Sequence, residues 1–179
     1  MRSRNSTMVV IVAMIVSLVG AQAQSRYGIG RPATPDEISG WNIDIGRDGR
    51  GLPSGSGSVS HGREIFVQQC ATCHGEKAEG AVGDRLAGGQ GTLATAKPVR
   101  TVGSYWPYAP TLFDYIRRAM PQNAPQSLSD EDVYAVSAYI LNLNGLVAAD
   151  ATLDAKSLAA IKMPNRDRFV GDARPDVTR

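Results

Sequence analysis

Small and apolar residues first follow a helical pattern between residues 60 and 71. Gly62, Ile65 and Phe66 recur at the i, i+3 and i+4 positions that share one face of an α-helix, and Gln69 continues the face at i+7. In residues 75–103 the pattern stops, because glycines recur and apolar periodicity is almost absent. A stretch of this length without its own helix or strand predicts an irregular segment that wraps something other than its own core.

A second helix is predicted over residues 112–119. Thr111 would be its N-cap with Asp114 as the capping partner, and Pro121 would stop it, since proline cannot continue a helix. Met120 lies at the predicted end of this helix.

A third helix is predicted over residues 130–143, with Ser129 as N-cap and Gly145 after the last turn. A short helix is expected near residues 154–161, before a polar tail. The fold class is therefore predicted to be mainly α.

The first 23 residues have the pattern of a secretory signal peptide. Arg2 and Arg4 precede an apolar run over residues 8–20, and the run is followed by small residues around a cleavage site after Ala23. The run is shorter than the roughly 20 apolar residues that cross a bilayer, which favours cleavage over a membrane anchor. We therefore expect an exported, periplasmic protein without stable membrane insertion.

The remaining chain divides into three predicted parts. Residues 24–57 are rich in Gly, Pro and Ser and predict an extended N-terminal arm. Trp41 and Ile45 are more apolar than a simple spacer requires, so part of the arm is expected to contact the domain or another protein. The alternative is that the arm is disordered in isolation. Residues 58–145 are expected to form the one compact domain, and residues 146–179 a C-terminal extension.

The charge pattern argues against a polyanion-binding protein. The whole chain has 19 Lys and Arg against 17 Asp and Glu, and the predicted leader removes two of the arginines. No run of five or more basic residues occurs, so nucleic acid is an improbable partner.

The two cysteines belong to the motif Cys70-Ala71-Thr72-Cys73-His74. A disulfide would be the usual expectation in an exported protein, but Cys-x-x-Cys-His is the attachment signal for c-type haem, in which both thiols become thioethers and the histidine binds iron. Zinc is disfavoured because a structural site needs four ligands and His61 is the only further histidine. One covalent haem c is predicted, with Cys70 and Cys73 attaching it and His74 on the iron.

Met120 is the candidate for the sixth iron ligand, because it lies between a predicted helix and Pro121. A core methionine is the ordinary alternative, and Met163, which also precedes a proline, is the rival ligand. His61 is expected to point away from the distal side, since it starts the helix that ends in the motif.

The anionic haem propionates need hydrogen-bond donors. Arg100, Tyr105 and Trp106 are the candidates, with Arg85 a lesser one. Core packing of Tyr105 and Trp106 explains these aromatic residues equally well.

The sequence resembles class I cytochrome c at Gly62, Phe66, the attachment motif, a Met-Pro pair and the late-helix residue Tyr139. That resemblance implies a class I cytochrome c fold around one haem, with the first and last helices crossing at the glycine and the aromatic residues filling the crossing.

Residues 30–35 (GRPATP), 101–109 (TVGSYWPYA) and 162–167 (KMPNRD) are similar to the cytochrome subunits of bacterial sulfite and sulfane dehydrogenases, including the D-type cytochrome of the Sox pathway. The resemblance implies a molybdenum-containing partner enzyme that oxidises a sulfur compound, and a downstream cytochrome or oxidase as acceptor. Several members of that family carry two haems, whereas this chain has one motif. The alternatives are a freely diffusing electron carrier and a haem enzyme or gas-binding protein with an open distal site.

Overall fold

The computed structural model describes residues 29–171 of the 179-residue chain. The predicted signal peptide lies outside these residues, and so do residues 172–179 of the predicted extension. The chain divides into two units with the boundary after Asn42. Within the described range, no helix is both long enough and apolar enough to span a bilayer.

Helix α1 comprises Pro35–Trp41, within the predicted arm. Thr34 and Glu37 form a capping box, in which each side chain accepts a hydrogen bond from the backbone N–H of the other residue. Pro35 occupies the first turn, where a backbone N–H is not needed. The expectation of extended chain was therefore wrong for these residues, because a local capping motif begins a helix here.

Helices α2 (Val59–Gln69) and α5 (Asp130–Leu143) confirm the first and third predicted helices. The N-cap Ser129 accepts a hydrogen bond from the backbone N–H of Asp132, as expected. The two helices pack closely at Gly62, where any β-carbon would overlap the backbone of Ala135. Beside this point the rings of Phe66 and Tyr139 lie 5.3 Å apart, centroid to centroid.

A two-stranded antiparallel ribbon joins the two extensions of the chain. Strand β1 (Ser56–Ser58) pairs with strand β2 (Thr152–Asp154), with Gly57 opposite Leu153. Gly57 lies against α5, since a β-carbon on it would be 2.6 Å from the carbonyl oxygen of Glu131. Both extensions are thus held on the last long helix.

Helix α4 comprises Ala109–Ala119, after the short helix α3 (Ala71–His74). The predicted N-cap at Thr111 was wrong: the helix begins earlier, because Pro110 is tolerated in a first turn. Asp114 has a different role from capping. Its carboxylate accepts a hydrogen bond from the backbone N–H of Ile45 at 3.2 Å and pairs with Arg118.

Part of the C-terminal extension packs into the core. Helix α6 (Ala155–Ala160) confirms the predicted short helix, and Leu158 and Met163 are buried. Ile45 from the predicted arm is also buried in the same core. The compact unit therefore begins at residue 43 and continues past residue 145, because both flanking segments supply apolar side chains that the central helices need.

The core is formed by side chains of α2, α4, α5 and both flanking segments. Its large, fully buried members are Phe66, Phe113, Tyr134, Leu141 and Leu158. Residues 75–108 contain neither helix nor strand, which confirms the irregular segment predicted from residue 75.

Candidate functional site

The Cys-x-x-Cys-His motif lies at the junction of two helices. Helix α2 ends just before Cys70, and α3 carries Cys73 and His74. The backbone N–H groups of Cys73 and His74 donate to the carbonyl oxygen of Cys70 at 3.1 and 3.0 Å. This turn keeps the sulfur atoms of Cys70 and Cys73 about one helical turn apart.

The imidazole of His74 is oriented by a backbone carbonyl. Its Nδ1 lies 2.7 Å from the carbonyl oxygen of Asp84. Because a carbonyl only accepts, Nδ1 must carry the proton, and the lone pair on Nε2 is left for a metal. Histidine ligands are commonly held through their second nitrogen in this way.

The glycine-rich segment after the motif folds back onto it. The backbone N–H groups of Gly80 and Gly83 donate to the carbonyl oxygens of His74 and Cys73, both at 2.7 Å. A β-carbon on Gly83 would lie 3.1 Å from Cε1 of His74. The segment that lacked a helical pattern therefore fixes the position of the imidazole.

The Cys70 thiol is partly buried against the core, whereas Cys73 is exposed. Burial raises the pKa of the Cys70 thiol to about 11, and the nearby Cys73 adds to the shift. The upward shift shows that Cys70 lies against the apolar core rather than in a polar setting that would favour a thiolate.

Met120 is the C-cap of α4 and has extended backbone angles of φ −123° and ψ 144°. Its side chain is partly buried against the core. Met163 is 3% exposed and belongs to the core itself. The two methionines thus differ in setting, because Met120 ends a helix beside a loop whereas Met163 packs among apolar core residues.

His61 is half exposed and engaged in a contact between helices. Its Nε2 lies 2.9 Å from a carboxylate oxygen of Asp132, in the first turn of α5. The two residues therefore link the first and last long helices.

The propionate candidates divide into two groups. The Arg100 guanidinium lies 5.4 Å from the centroid of the Tyr105 ring, so these two residues are together. Trp106 packs edge-on against Tyr115, with centroids 5.8 Å apart. Arg85 donates to the carbonyl oxygen of Glu79, close to the motif.

Asn144 is a residue that the sequence reasoning missed. Its side-chain amide donates to the carbonyl oxygen of Leu86, and its side-chain oxygen accepts from the backbone N–H of Gly88, both at 3.1 Å. Gly103 lies directly against the same side chain. Asn144 therefore fastens the irregular segment to the end of α5, and the only available signal was a polar residue at the end of an apolar helix.

The donor set fits a covalent haem. It comprises a histidine whose Nε2 can bind a metal, two cysteines one turn apart and a methionine at a helix end, and partly buried apolar side chains such as Leu86 and Trp106 pack against the core. Over residues 29–171, no group of three or more His, Cys, Asp and Glu side chains could hold a metal ion.

Comparison with known proteins agrees with this fit. Residues 57–140 match the family described as cytochrome C oxidase, cbb3-type, subunit III. A stretch of 90 residues is 31% identical to thiosulfate dehydrogenase from Stutzerimonas stutzeri, covering 49% of this chain. The match spans only 28% of that enzyme.

A solved structure matches over more of the chain. It is that of the sulfane dehydrogenase SoxCD from Paracoccus pantotrophus, with 45% identity and a TM-score of 0.78, covering 83% of this chain and 74% of that one. The predicted cytochrome c fold is therefore confirmed in its mainly helical architecture. The chain belongs to the c-type cytochromes, alongside the cytochrome of SoxCD, and its cofactor is c-type haem.

Proposed function

We propose that this protein is the electron-transfer subunit of a sulfur-oxidising system. It accepts single electrons from a molybdenum-containing sulfite or sulfane dehydrogenase and passes them to a downstream cytochrome or oxidase. The observation that carries the proposal is the 45% identity to a chain of a sulfane dehydrogenase over 83% of this chain. The predicted signal peptide supports a periplasmic location.

Cys70, Cys73 and His74 of the motif each have one role in this proposal. Cys70 and Cys73 attach the haem as thioethers, and His74 binds the iron through Nε2 while Asp84 holds the ring. The bound haem supplies a reversible one-electron couple. The Met120 thioether would be the second protein ligand of the iron, and it would favour the ferrous state and keep small molecules off the iron.

The surroundings of the haem complete the site. Arg100, Tyr105 and Trp106 are the proposed donors to the propionates. The fixed ring of His74 and the anchoring of the irregular segment by Asn144 keep the pocket rigid. A rigid site suits electron transfer, because little of the protein has to rearrange when the charge on the iron changes.

Affinity isolation from the native organism tests the proposed partner. A tagged copy of this protein should bring down a second polypeptide, and metal analysis should find molybdenum together with one haem iron per tagged chain. If the tagged protein is recovered alone, or with a polypeptide that contains no molybdenum, the subunit proposal fails.

The N-terminal arm offers a finer test of the complex. In α1 no residue is buried, and Trp41 is 86% exposed. Transient electron-transfer contacts are small, whereas lasting subunit contacts are larger and more apolar. We therefore propose that residues 24–42 contact the dehydrogenase subunit.

Deletion of residues 24–42 should weaken the complex and leave the haem spectrum unchanged. The deletion stops before Ile43 because residues 43–57 contribute Ile45 and strand β1 to the haem-binding unit. Trp41→Ala is the matched point variant and should weaken the complex in the same direction. Equal binding by the truncated and full mature chains would show that the arm has another role.

A further inference from the structure

Three segments that are distant in sequence meet at Tyr108. The guanidinium carbon of Arg47 lies 5.9 Å from the centroid of the Tyr108 ring, and that of Arg166 lies 5.4 Å from it. Arg47 comes from the chain before β1, and Arg166 follows α6. We call these three residues the Tyr108 surface.

Both arginines of the Tyr108 surface lie outside the ion pairs that the described residues form. Among residues 29–171, neither guanidinium forms an ion pair or a side-chain hydrogen bond. Asp44 pairs with Arg118. Asp48 pairs with Arg50, and the pKa of Asp48 is lowered mainly by the backbone N–H of Arg50 and to a lesser degree by the nearby charges of Arg50 and Arg47. The two guanidinium groups beside one ring repel each other, and an anionic group placed between them would offset that repulsion.

The backbone around both arginines is anchored. The side-chain amide of Asn165 donates to the carbonyl oxygen of Tyr105 at 2.8 Å, and the backbone N–H of Arg166 donates to the carbonyl oxygen of Met163, which is buried. Near Arg47, the buried Ile45 is fixed by Asp114. The guanidinium groups therefore have less freedom to lose on binding than those of a mobile tail.

The chemistry of the Tyr108 surface favours carboxylates. A guanidinium stacked on an aromatic ring keeps its N–H groups at the edge, where a carboxylate can bind two of them. Exposed Lys162 and Arg168 add positive charge, and Asp167 is the one acid in this short stretch. Arg47 and Arg166 are exposed and Tyr108 is half-buried, and tyrosine and arginine are both enriched at protein interfaces.

We propose that the Tyr108 surface is a docking site for a carboxylate-rich face of a partner protein. The inference rests on the proposed function only in naming that partner as the dehydrogenase subunit. Arg47, Tyr108 and Arg166 all belong to the unit after Asn42.

The test compares three holoprotein variants by binding affinity. Arg47→Gln/Arg166→Gln removes both charges, and Arg47→Lys/Arg166→Lys keeps the charge without the planar group. Arg63→Gln removes an exposed arginine of α2 that forms no ion pair in the described chain. Each is titrated with a fluorescent poly-glutamate peptide and with the purified dehydrogenase subunit.

The glutamine double variant should bind both probes about tenfold more weakly at low salt, and Arg63→Gln should bind as wild type does. The affinity of the lysine double variant should lie between those of wild type and the glutamine double variant. The difference in affinity between wild type and the glutamine double variant should shrink at 1 M salt, where the screening length falls to about 3 Å. If the glutamine variant does not fold, the lysine variant must still bind both probes more weakly than wild type.

The outcomes separate this inference from the proposed function. If wild type binds the subunit and neither double variant is weaker, the docking inference is overturned and the proposed function stands. If wild type does not bind the subunit, the proposed function fails, and the peptide titration still decides whether the surface recognises carboxylates. Equal weakening by Arg63→Gln would show general charge attraction and overturn the inference.

Discussion

The crossing of α2 and α5 depends on the absence of a side chain at residue 62. A β-carbon on Gly62 would overlap the carbonyl group of Ala135 and lie 3.0 Å from Cβ of Tyr139. The obstructing atoms are backbone, so no rotamer change can remove the overlap. In Gly62→Ala the two helices must therefore separate by on the order of 1 Å.

The expected loss of stability follows from two opposing terms. Overpacking of a core costs about 1–3 kcal/mol, and the backbone overlap places this site at the upper end. Alanine in a helix is favoured over glycine by about 1 kcal/mol. We therefore expect Gly62→Ala to lower the free energy of unfolding by about 2 kcal/mol.

Urea unfolding of the holoprotein, followed by circular dichroism, measures this change. Gly40→Ala is the matched control, since Gly40 also lies in a helix but has no atom within 4 Å of its β-carbon position. The control should be neutral or slightly stabilising. If Gly62→Ala unfolds within about 0.5 kcal/mol of wild type, the helices are not in the close contact described.

Three further predictions concern the haem and the arm. Cys70→Ala and Cys73→Ala should each reduce covalent haem retention after acid–acetone extraction, because each removes one thioether. Met120→Ala should let the ferrous iron bind carbon monoxide and should lower the midpoint potential, since the thioether's preference for ferrous iron is lost. Tyr134→Phe should cost about 1 kcal/mol at neutral pH, because the Tyr134 hydroxyl donates to the carbonyl oxygen of Pro53 at 2.8 Å. Burial, helped by Asp130 and Asp154, raises the pKa of Tyr134 from 10.0 to about 12, so wild-type stability should fall between these pH values and the variant should lack that loss.

Each of these predictions has a contrary result. Full extraction of haem from the wild-type protein would refute covalent attachment. A fall in potential in Met163→Ala, with Met120→Ala unchanged, would assign the axial role to the other methionine. Identical stability curves for wild type and Tyr134→Phe above pH 10 would show that the phenol is not shielded from water.

The local signals of the sequence were sufficient for the central helices. Ser129 predicted the start of α5, and the spacing of Gly62, Ile65 and Phe66 predicted α2, because caps and apolar faces act over a few residues. The attachment motif likewise identified the haem chemistry, since its five residues are adjacent in the chain.

The errors arose where a local signal was missed or a distant contact decides the structure. The Gly, Pro and Ser content of residues 24–57 predicted extended chain, although Thr34 and Glu37 form a capping box that begins a helix. The Asp114 carboxylate accepts a hydrogen bond from the backbone N–H of Ile45, which lies 69 residues away in the sequence. Asp84 orients the His74 ring through its backbone carbonyl and not through its side chain. Neither contact leaves a side-chain pattern in the sequence, so neither could be predicted from it.

The proposed electron transfer can be measured as reduction of this haem by a sulfur substrate in the presence of the molybdenum subunit. The purified complex is mixed with sulfite or thiosulfate without oxygen, and the haem absorption is followed. We expect reduction of one haem per chain when the molybdenum subunit is present, and an oxidised haem when the cytochrome is mixed with substrate alone. A haem that stays oxidised in the intact complex, or that is reduced equally well without the subunit, would contradict it.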